Sequence, residues 1–424
     1  MKVLIVSPMF PPQGWGAEIS TMLECKELVE NNVQVVLVTN NHVSIKPYQK
    51  WTRKLKIYRL PMPFISFIYP RYKPFGEFGY WIFQEGSWEH IYKIAVKEHV
   101  DLIHIEHAYI GFGDELNIPI VLTIRDYWPI CVYRTLFKNT DCCAYKSFIW
   151  GFPCRKRIYL EYGLAKLPHL FYNISFTPLL HLLCRKVHSL VKRKLQKVDR
   201  FIAISNFIKD VLSRKLRIAR EKIEVIYPPL PEMPYVHRTS SPSEMTFTYI
   251  GALEAHKGVM NLLRAFHLAL KNNKSIKLLI YGEGALYPRI REYISANRLT
   301  DKIEVLGRIS YKDLRRVYER TDVVVVPSLW AEPFGRVSAE ALLAGRPVLI
   351  NPVGGLKEQV IDGLTGFHAN CYNIKAFARK IIEISSMPRA ILHEMGLKAR
   401  EHILANFERR KRIERLIKIY ESLK

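Results

Sequence analysis

The sequence contains little cysteine and little acid for its length. Seven cysteines among 424 residues are too few for the disulfide scaffolds that small secreted domains build. Asp and Glu total 39 against 64 Lys and Arg, which gives a formal net charge of +25. Such a surplus predicts anionic partners, namely nucleotide phosphates, acidic lipid or nucleic acid.

Long apolar runs are also missing. No stretch approaches the roughly 20 apolar residues that a membrane-spanning helix needs. The apolar run in the opening MKVLIVSPMFPP stops at Pro11 and has no small-residue cleavage site, so it predicts a first strand rather than a signal peptide. We therefore expect a cytoplasmic protein that could also bind peripherally to the inner face of the cell membrane.

Short β-branched runs alternate with helical segments in both halves of the chain, which predicts α/β domains with parallel sheets. Prolines at 228, 229, 231 and 234 precede a Ser/Thr-rich stretch and predict a linker. We therefore expect a Rossmann-like domain at 1–227, a linker at 228–243, a second Rossmann-like domain at 244–405 and a final helix at 406–424.

Residues 322–351, DVVVVPSLWAEPFGRVSAEALLAGRPVLIN, form the most informative stretch. They predict a buried strand, a loop at Ser328–Gly335, a helix at Arg336–Ala344 and a second strand. Open α/β sheets bind ligands at the carboxyl ends of their strands, and a helix N-terminus attracts phosphate. Glu332 and Glu340 flank that terminus and could bind the sugar and ribose hydroxyls of a nucleotide sugar. From spacing alone, two solvated surface carboxylates explain the pattern equally well.

The motif E-P-F-G-x-x-x-x-E, followed by A-x-G-x-P-V, closely resembles the donor site of retaining glycosyltransferases of family 4, which have the GT-B fold. The resemblance implies two Rossmann-like domains facing across a cleft, with the acceptor on the first and the nucleotide sugar on the second. It implies that Glu332 holds the donor sugar and Glu340 the ribose. The helix N-terminus, with Phe334, Gly335, Arg336 and Val337, would meet the diphosphate.

Two further loops of the second half resemble that family. Gly251 opens G-A-L-E-A-H-K-G, where the family has G-R-x-x-x-x-K-G. Lys257 matches the lysine that binds the donor diphosphate, although Ala252 stands where an arginine is usual. A solvated surface lysine is the alternative for Lys257. Gly307 and Arg308 follow a later strand, at a loop that contacts the nucleotide base in the family.

The first half carries two weaker matches. The opening resembles F-P-P-x-x-G-G-A-E with Trp15 inserted, so Gly16 would approach the donor phosphates, unless the glycines only form a turn. Residues 125–129, RDYWP, resemble H-D-Y-W-P and make Arg125 and Asp126 catalytic candidates. Arg125 replaces the histidine and cannot act as a base near neutral pH, but it can hold a phosphate or a sugar hydroxyl. His104, inside an apolar strand, is expected to be a hydrogen-bonded core residue.

The segment 143–200 is basic, aromatic and almost free of acid; Glu161 is the single acidic residue between Cys143 and Val198. This composition suits an anionic membrane surface or single-stranded nucleic acid. An ordinary basic helix with its apolar face in the core is the alternative. The nearby cysteines lack a C-x-x-C pair, so buried thiols or a disulfide are favoured over zinc; they are Cys131, Cys142, Cys143 and Cys154.

The resemblance to family 4 glycosyltransferases implies transfer of a glycosyl group from a UDP- or GDP-sugar with retained anomeric configuration. The acceptor would be a hydroxyl group of a sugar or of a lipid-linked sugar. No D-x-D motif is present, so we expect no required metal or other cofactor. One rival is a nucleotide-sugar epimerase of the same fold. The other is a non-enzymatic nucleic-acid binder, which leaves Glu332 and Glu340 unexplained, so we expect no nucleic-acid partner.

Overall fold

A computed structural model describes residues 1–7, 10, 16–41, 48–61, 88–106, 117–130, 189–238 and 244–424. The four-cysteine cluster, Trp15 and residues 143–188 of the basic aromatic segment lie outside these ranges. The described residues form two compact units. The first runs to Pro229 and also contains Arg409–Lys424, and the second is Leu230–Glu408.

The described part of the first unit forms one eight-stranded sheet. Its strands, numbered β1 to β8 along the chain, lie in the order β3-β4-β2-β1-β5-β6-β7-β8. Its neighbouring strands are parallel except for the antiparallel pair β3–β4. Apolar residues of its strands are buried on both faces, as expected for a parallel sheet covered by helices. The strands are β1 Lys2–Val6, β2 Gln34–Asn41, β3 Tyr48–Thr52, β4 Leu55–Pro61, β5 Leu102–Glu106, β6 Ile120–Ile124, β7 Arg200–Ala203 and β8 Ile223–Val225.

Helices of the first unit include α1 (Gly16–Glu30), α2 (88–98), α3 (189–195) and α4 (Asn206–Leu216). The last helix of the chain, Arg409–Glu421, also packs in this unit, where Leu416 and Tyr420 are fully buried among residues of β1 and β2. Its amphipathic spacing therefore completes the first core rather than the second.

The second unit contains a six-stranded parallel sheet. Its strands, numbered β9 to β14 along the chain, lie in the order β11-β10-β9-β12-β13-β14. Its strands are β9 Met245–Ile250, β10 Ile276–Tyr281, β11 Ile303–Gly307, β12 Val323–Val326, β13 Val348–Ile350 and β14 Gly366–His368. Its helices are α5 Val259–Leu270, α6 Tyr287–Ala296, α7 Leu314–Glu319, α8 Arg336–Leu343, α9 Ile374–Ser385 and α10 Arg389–Asn406, and the final helix Arg409–Glu421 of the first unit is α11.

The proline-rich stretch after Pro229 packs on the second unit instead of forming a free linker. Val236 is buried, and its N–H donates to the carbonyl of Ala344 at 3.1 Å. Arg238 Nε lies 2.7 Å from Asp322 Oδ1. The change of unit therefore falls between Pro229 and Leu230, inside the predicted linker.

Among the residues that the structure describes, no helix is both long and apolar enough to cross a lipid bilayer.

Candidate active site

Two loops at the same edge of the second sheet bring Lys257 and Glu332 together. β9 and β12 are adjacent and parallel, with Val323 opposite Phe247, so the loops that follow them lie side by side. The N–H of Leu329 donates to the carbonyl of His256 at 2.8 Å and joins the two loops. Residues 75 positions apart in the chain thereby meet.

Lys257 and Glu332 form an ion pair. The Lys257 Nζ donates to Glu332 Oε1 at 2.7 Å, and the Ser328 hydroxyl donates to the same oxygen at 2.5 Å. The ammonium also lies 4.7 Å from the ring centroid of Trp330, a cation–π distance. Glu332 is 7% exposed, so its interpretation as a solvated loop residue is wrong. The Lys257 side chain is 25% exposed, and its role stays a prediction.

The pair keeps Glu332 ionised. Burial alone would raise the pKa of this carboxyl, but the charge of Lys257 and hydrogen bonds from Lys257, Ser328 and Trp330 hold it below its usual range. A buried carboxylate with its own cation can accept hydrogen bonds from hydroxyl groups. Sequence reasoning named Glu332 and Lys257 separately and missed both Ser328 and Trp330.

The backbone of Glu332 is fixed from behind by a glycine pair. The N–H of Gly355 donates to the Glu332 carbonyl at 2.7 Å. Gly354 has a left-handed φ of +61°, and a Cβ there would lie 2.2 Å from the same carbonyl oxygen. The short helix Gly354–Glu358 can approach the loop this closely only because these positions lack side chains.

Asn351 braces the loop from the neighbouring strand. It directly follows β13, and its Nδ2 donates to the carbonyl of Ser328 at 2.6 Å. Its Oδ1 accepts from the N–H of Cys371 at 3.2 Å. The Tyr372 hydroxyl donates to the carbonyl of Leu329. Asn351 was missed by the motif comparison, although its place at the end of a buried strand was a signal.

The N-terminus of α8 begins at a glycine in the left-handed region. Gly335, with φ +93°, precedes Arg336, and no side chain of the described residues caps the helix. Its first N–H groups therefore suit an anion. Phe334 is buried with its ring 5.8 Å from that of Phe407, while Val337 packs against the core beside β12.

Glu340 lies on the buried side of α8. It is 4% exposed, and its Oε1 accepts from Arg336 Nε at 2.6 Å. Burial raises the pKa of Glu340, and the charge and hydrogen bond of Arg336 only partly offset that rise. The interpretation as a dipole-matched surface residue is therefore wrong for Glu340 as well.

Gly251 and Gly307, two of the glycines named from the sequence, lie at the same edge of the second sheet. The N–H of Gly251 donates to the carbonyl of Tyr281 at 3.0 Å, and the N–H of Gly282 donates to the carbonyl of Gly307 at 2.7 Å. These bonds connect the loops that follow β9, β10 and β11. Arg308 follows Gly307 directly and so begins the outermost of the three loops.

Gly16, Arg125 and Asp126 belong to the first unit. Gly16 begins α1 and is exposed, and Asp126 Oδ1 accepts from the N–H of Trp128 at 2.8 Å. Arg125 is 8% exposed, and its Nε donates to Glu106 Oε2 at 2.5 Å. The guanidinium is thus held in a buried ion pair, and its contact with phosphate or sugar stays a prediction.

His104 lies beside this ion pair and is fully buried. Its Nε2 is 2.7 Å from Thr123 Oγ1, and its Nδ1 is 2.6 Å from the Tyr420 hydroxyl. Burial lowers the pKa of His104 to about 4. The prediction of a hydrogen-bonded core histidine is confirmed, and the partner from α11 is a contact that the sequence did not reveal.

Glu24, His104 and Glu106 present ligand atoms within 4.8 Å of one another, a spacing that a cation could use. One oxygen of each carboxylate already has another partner. Arg412 Nη1 donates to Glu24 Oε2 at 3.0 Å, and Arg125 binds Glu106. Two guanidinium groups therefore already compensate these carboxylates, and the cluster serves the core of the first unit.

Comparison with known proteins identifies two families along the chain. Residues 15–231 match the family described as Glycosyltransferase Family 4. Residues 238–402 match the family described as Glycosyl transferases group 1. The first match alone covers about half of the chain, and the two matches divide it close to the change of unit after Pro229.

Among similar proteins, a glycogen synthase of Mycobacterium tuberculosis is 26% identical over 228 residues, which are 53% of this chain and 55% of that protein. An uncharacterized glycosyltransferase of Methanocaldococcus jannaschii is 31% identical over 229 residues, 53% of this chain and 60% of that protein. The chain thus matches just over half the length of these relatives.

Solved structures share the whole fold. Sucrose-phosphate synthase from Thermosynechococcus elongatus superposes with a TM-score of 0.71 at 19% identity, over 100% of this chain and 98% of that one. An Anabaena protein solved in complex with UDP and glucose gives a TM-score of 0.62 at 15% identity, over 100% of both chains. These likenesses confirm the predicted α/β class with GT-B architecture.

Proposed function

The chain belongs to glycosyltransferase family 4, and on that premise we propose that it transfers a glycosyl group from a nucleotide-diphosphate sugar to a hydroxyl acceptor with retained anomeric configuration. The observation that carries the proposal is the buried Lys257–Glu332 pair beside the uncapped N-terminus of α8. One edge of the second sheet thus carries a cation, Lys257, a carboxylate suited to hydroxyl groups, Glu332, and a helix N-terminus suited to an anion.

The donor would use these groups together. Lys257 has three N–H donors, so it can bind a phosphate oxygen while one N–H remains on Glu332. Glu332 would accept from the sugar hydroxyls and Glu340 from the ribose, with the base near Gly307 and Arg308. UDP in the Anabaena relative supports a UDP-sugar as the first donor to test, and a GDP-sugar as the second.

The proposed reaction needs no covalent nucleophile from the protein. The bond between the anomeric carbon and the diphosphate oxygen breaks, and the acceptor oxygen attacks from the same face. The departing diphosphate takes the proton of the acceptor hydroxyl. Lys257 and the N–H groups at the start of α8 stabilise the developing negative charge, and the bound geometry supplies the remaining acceleration.

We propose that the second unit binds the donor and that the first unit binds the acceptor. In the first unit, Gly16 is proposed to approach the donor phosphates, and Arg125 and Asp126 are the catalytic candidates. A membrane-borne or lipid-linked sugar is the proposed acceptor class. Its support is the net charge of +25 together with α3, which exposes Lys192 and Arg193 and buries Val191.

Thermal unfolding of the full chain with a panel of UDP- and GDP-sugars tests donor binding. A ligand at 100 times its Kd should stabilise the protein by about 2.7 kcal/mol. Labelled donor with and without added sugar acceptors then separates the reactions, because transfer needs an acceptor and epimerisation does not. Absence of stabilisation by every nucleotide sugar contradicts the proposal, and an inverted anomeric product contradicts retention.

A further inference from the structure

The ion pair between Arg336 and Glu340 is poorly explained by helix stability. Arg336 is the first residue of α8, where the partial positive charge of the helix end disfavours a cation. An arginine that precedes its glutamate by four residues is also the less favourable order for such a pair. The pair nevertheless forms, with 2.6 Å between Arg336 Nε and Glu340 Oε1.

Burial explains the pair better. The side chains of Arg336 and Glu340 are 16% and 6% exposed. Arg315 and Glu319, on α7, form the same contact between the same atoms at 3.1 Å, but Arg315 is 64% exposed. The carboxylate of Glu319 is 28% exposed, so water stabilises it more than it stabilises the buried carboxylate of Glu340, which needs a nearby cation. Arg336 therefore acts as the counter-ion of the buried Glu340 carboxylate.

Two tyrosines complete the surroundings of this carboxylate. The Tyr311 ring, from the turn after β11, lies 5.9 Å from Arg336 Cζ. Tyr318 is fully buried, and its hydroxyl has no hydrogen-bond partner among the described residues. Burial, and then the charge of Glu340, raise the pKa of Tyr311 to about 12 and raise that of Tyr318 well above its usual value. Both phenols stay neutral, and Arg336 supplies the positive charge.

The contact also orients the carboxylate. Arg336 donates to Oε1, and the part of the chain that the structure describes places no hydrogen bond on Oε2. A carboxylate held at one oxygen by a guanidinium cannot rotate freely, because rotation would break a charged hydrogen bond. The contact with Arg336 therefore also fixes the position of Oε2 of Glu340.

Building on the proposed function, we propose that Arg336 is a positioning residue that holds one oxygen of Glu340 and leaves the other for the ribose hydroxyls. Arg336 thereby sets how strongly this chain prefers a ribonucleotide to the nucleotide without those hydroxyls. It does so through Glu340, at the start of the helix that also receives the diphosphate.

Removal of the guanidinium should make this preference depend on pH. Burial raises the pKa of Glu340, and Arg336 opposes that rise. Without Arg336, Glu340 takes up a proton at a higher pH, and a neutral carboxyl binds hydroxyls less strongly than a carboxylate. As the pH falls, ribose recognition should therefore begin to weaken at a higher pH in the variant than in the wild type.

Calorimetric titration of the full chain measures the effect. The probes are UDP, or GDP if that is the nucleotide bound, and the corresponding 2′,3′-dideoxy form. The wild type should prefer the ribonucleotide by roughly 10- to 150-fold, the range for hydrogen bonds to a charged group. Arg336→Met should reduce the preference to roughly 2- to 12-fold, the range for neutral partners. Arg336→Lys should keep the wild-type pH profile because it keeps the charge.

Arg315→Met is the matched control, because it breaks the exposed pair of the same geometry, and it should leave the preference unchanged. Glu340→Gln is a second route to a neutral partner and should match Arg336→Met, with no further loss when the two are combined.

A wild-type preference in Arg336→Met at every pH overturns the proposal. Equal weakening of both nucleotide forms also overturns it, since Arg336 would then bind phosphate. Failure of wild type to bind either nucleotide instead removes the proposed function itself.

Discussion

The Lys257 ammonium lies 2.7 Å from the Glu332 carboxylate, across the boundary between two loops that follow adjacent parallel strands. Burial would raise the pKa of Glu332, and the charge and hydrogen bond of Lys257 are the largest of the effects that lower it. Burial of an unpaired carboxylate is costly, so each partner supports the other before any ligand binds. Three experimental consequences follow for this loop pair and two for the first unit.

Replacement of Lys257 by Ala should weaken nucleotide diphosphate binding and lower turnover. A hydrogen bond from an ammonium to a buried phosphate contributes about 1.5–3 kcal/mol, which corresponds to roughly 10- to 150-fold. Titration calorimetry and initial rates measure the two losses. Lys398→Ala, which removes a lysine paired with Glu394 on an exposed helix surface, is the control. A loss below about threefold would assign Lys257 to the surface.

Glu332→Gln should lower turnover strongly while nucleotide diphosphate binding stays close to wild type, because Glu332 is proposed to hold the sugar. The comparison is kcat with the nucleotide sugar against Kd for the nucleotide diphosphate. The double variant with Lys257→Ala should lose less rate than the sum of the single losses, since contacting residues couple. Near-normal turnover in Glu332→Gln removes its assignment.

Gly354→Ala should disturb Glu332 from its backbone. A Cβ at Gly354 would lie 2.2 Å from the Glu332 carbonyl oxygen, whereas one at Gly363, with φ +75°, meets nothing within 4 Å. Gly363→Ala should therefore cost only the left-handed strain, about 1–2 kcal/mol. Gly354→Ala should cost more in the free energy of unfolding and also lower turnover. Equal costs for the two variants would mean that the close approach adds nothing.

Glu24 and Glu106 should share a proton at neutral pH. Oε1 of each is buried and without a partner among the described residues, and one proton between them would satisfy both. Burial, and then the charge of Glu106, raise the pKa of Glu24 from 4.5 to about 8. Because the folded pKa is raised, the contribution of Glu24 to stability is present below 4.5 and is lost as the pH rises through about 8.

Glu24→Gln cannot ionise, so its free energy of unfolding should exceed that of the wild type by a margin that grows across this pH window. Chemical denaturation at several pH values measures the margin. Glu30→Gln, on the same helix but exposed, should show no such trend. A margin that stays constant with pH would exclude the shared proton.

Binding to anionic vesicles should depend on the cations in α3 and directly after it. Each Lys or Arg near an anionic surface contributes about 1 kcal/mol, and salt screens this attraction. Sedimentation with phosphatidylserine vesicles should lose protein when Lys192, Arg193, Lys194 and Lys197 are changed together to Ser. Matched removal of Lys375, Arg379, Lys380 and Lys398 from the second unit should have less effect. Equal binding to neutral and anionic vesicles, or to neither, leaves a soluble acceptor.

The sequence alone determined the local elements and the donor motif. Val323–Val326 is a strand because four β-branched residues in succession suit burial on both faces. The predicted helix Arg336–Ala344 is observed at Arg336–Leu343, because Ala, Leu and Glu favour a helix through local preferences. The three-residue strand β14 was not predicted, since so short a strand is defined by its pairing with β13. The pair β3–β4 was not predicted either.

Tertiary structure decided which charges meet. Sequence spacing could not show that Lys257 and Glu332 form a pair, that Glu340 is buried, or that Arg125 is held by Glu106, because each contact depends on sheet order. Strand order places the loops after β9 and β12 side by side, and burial then makes each charge depend on its neighbour. The motif therefore names the candidate site residues, while the packed sheet determines their partners and their burial.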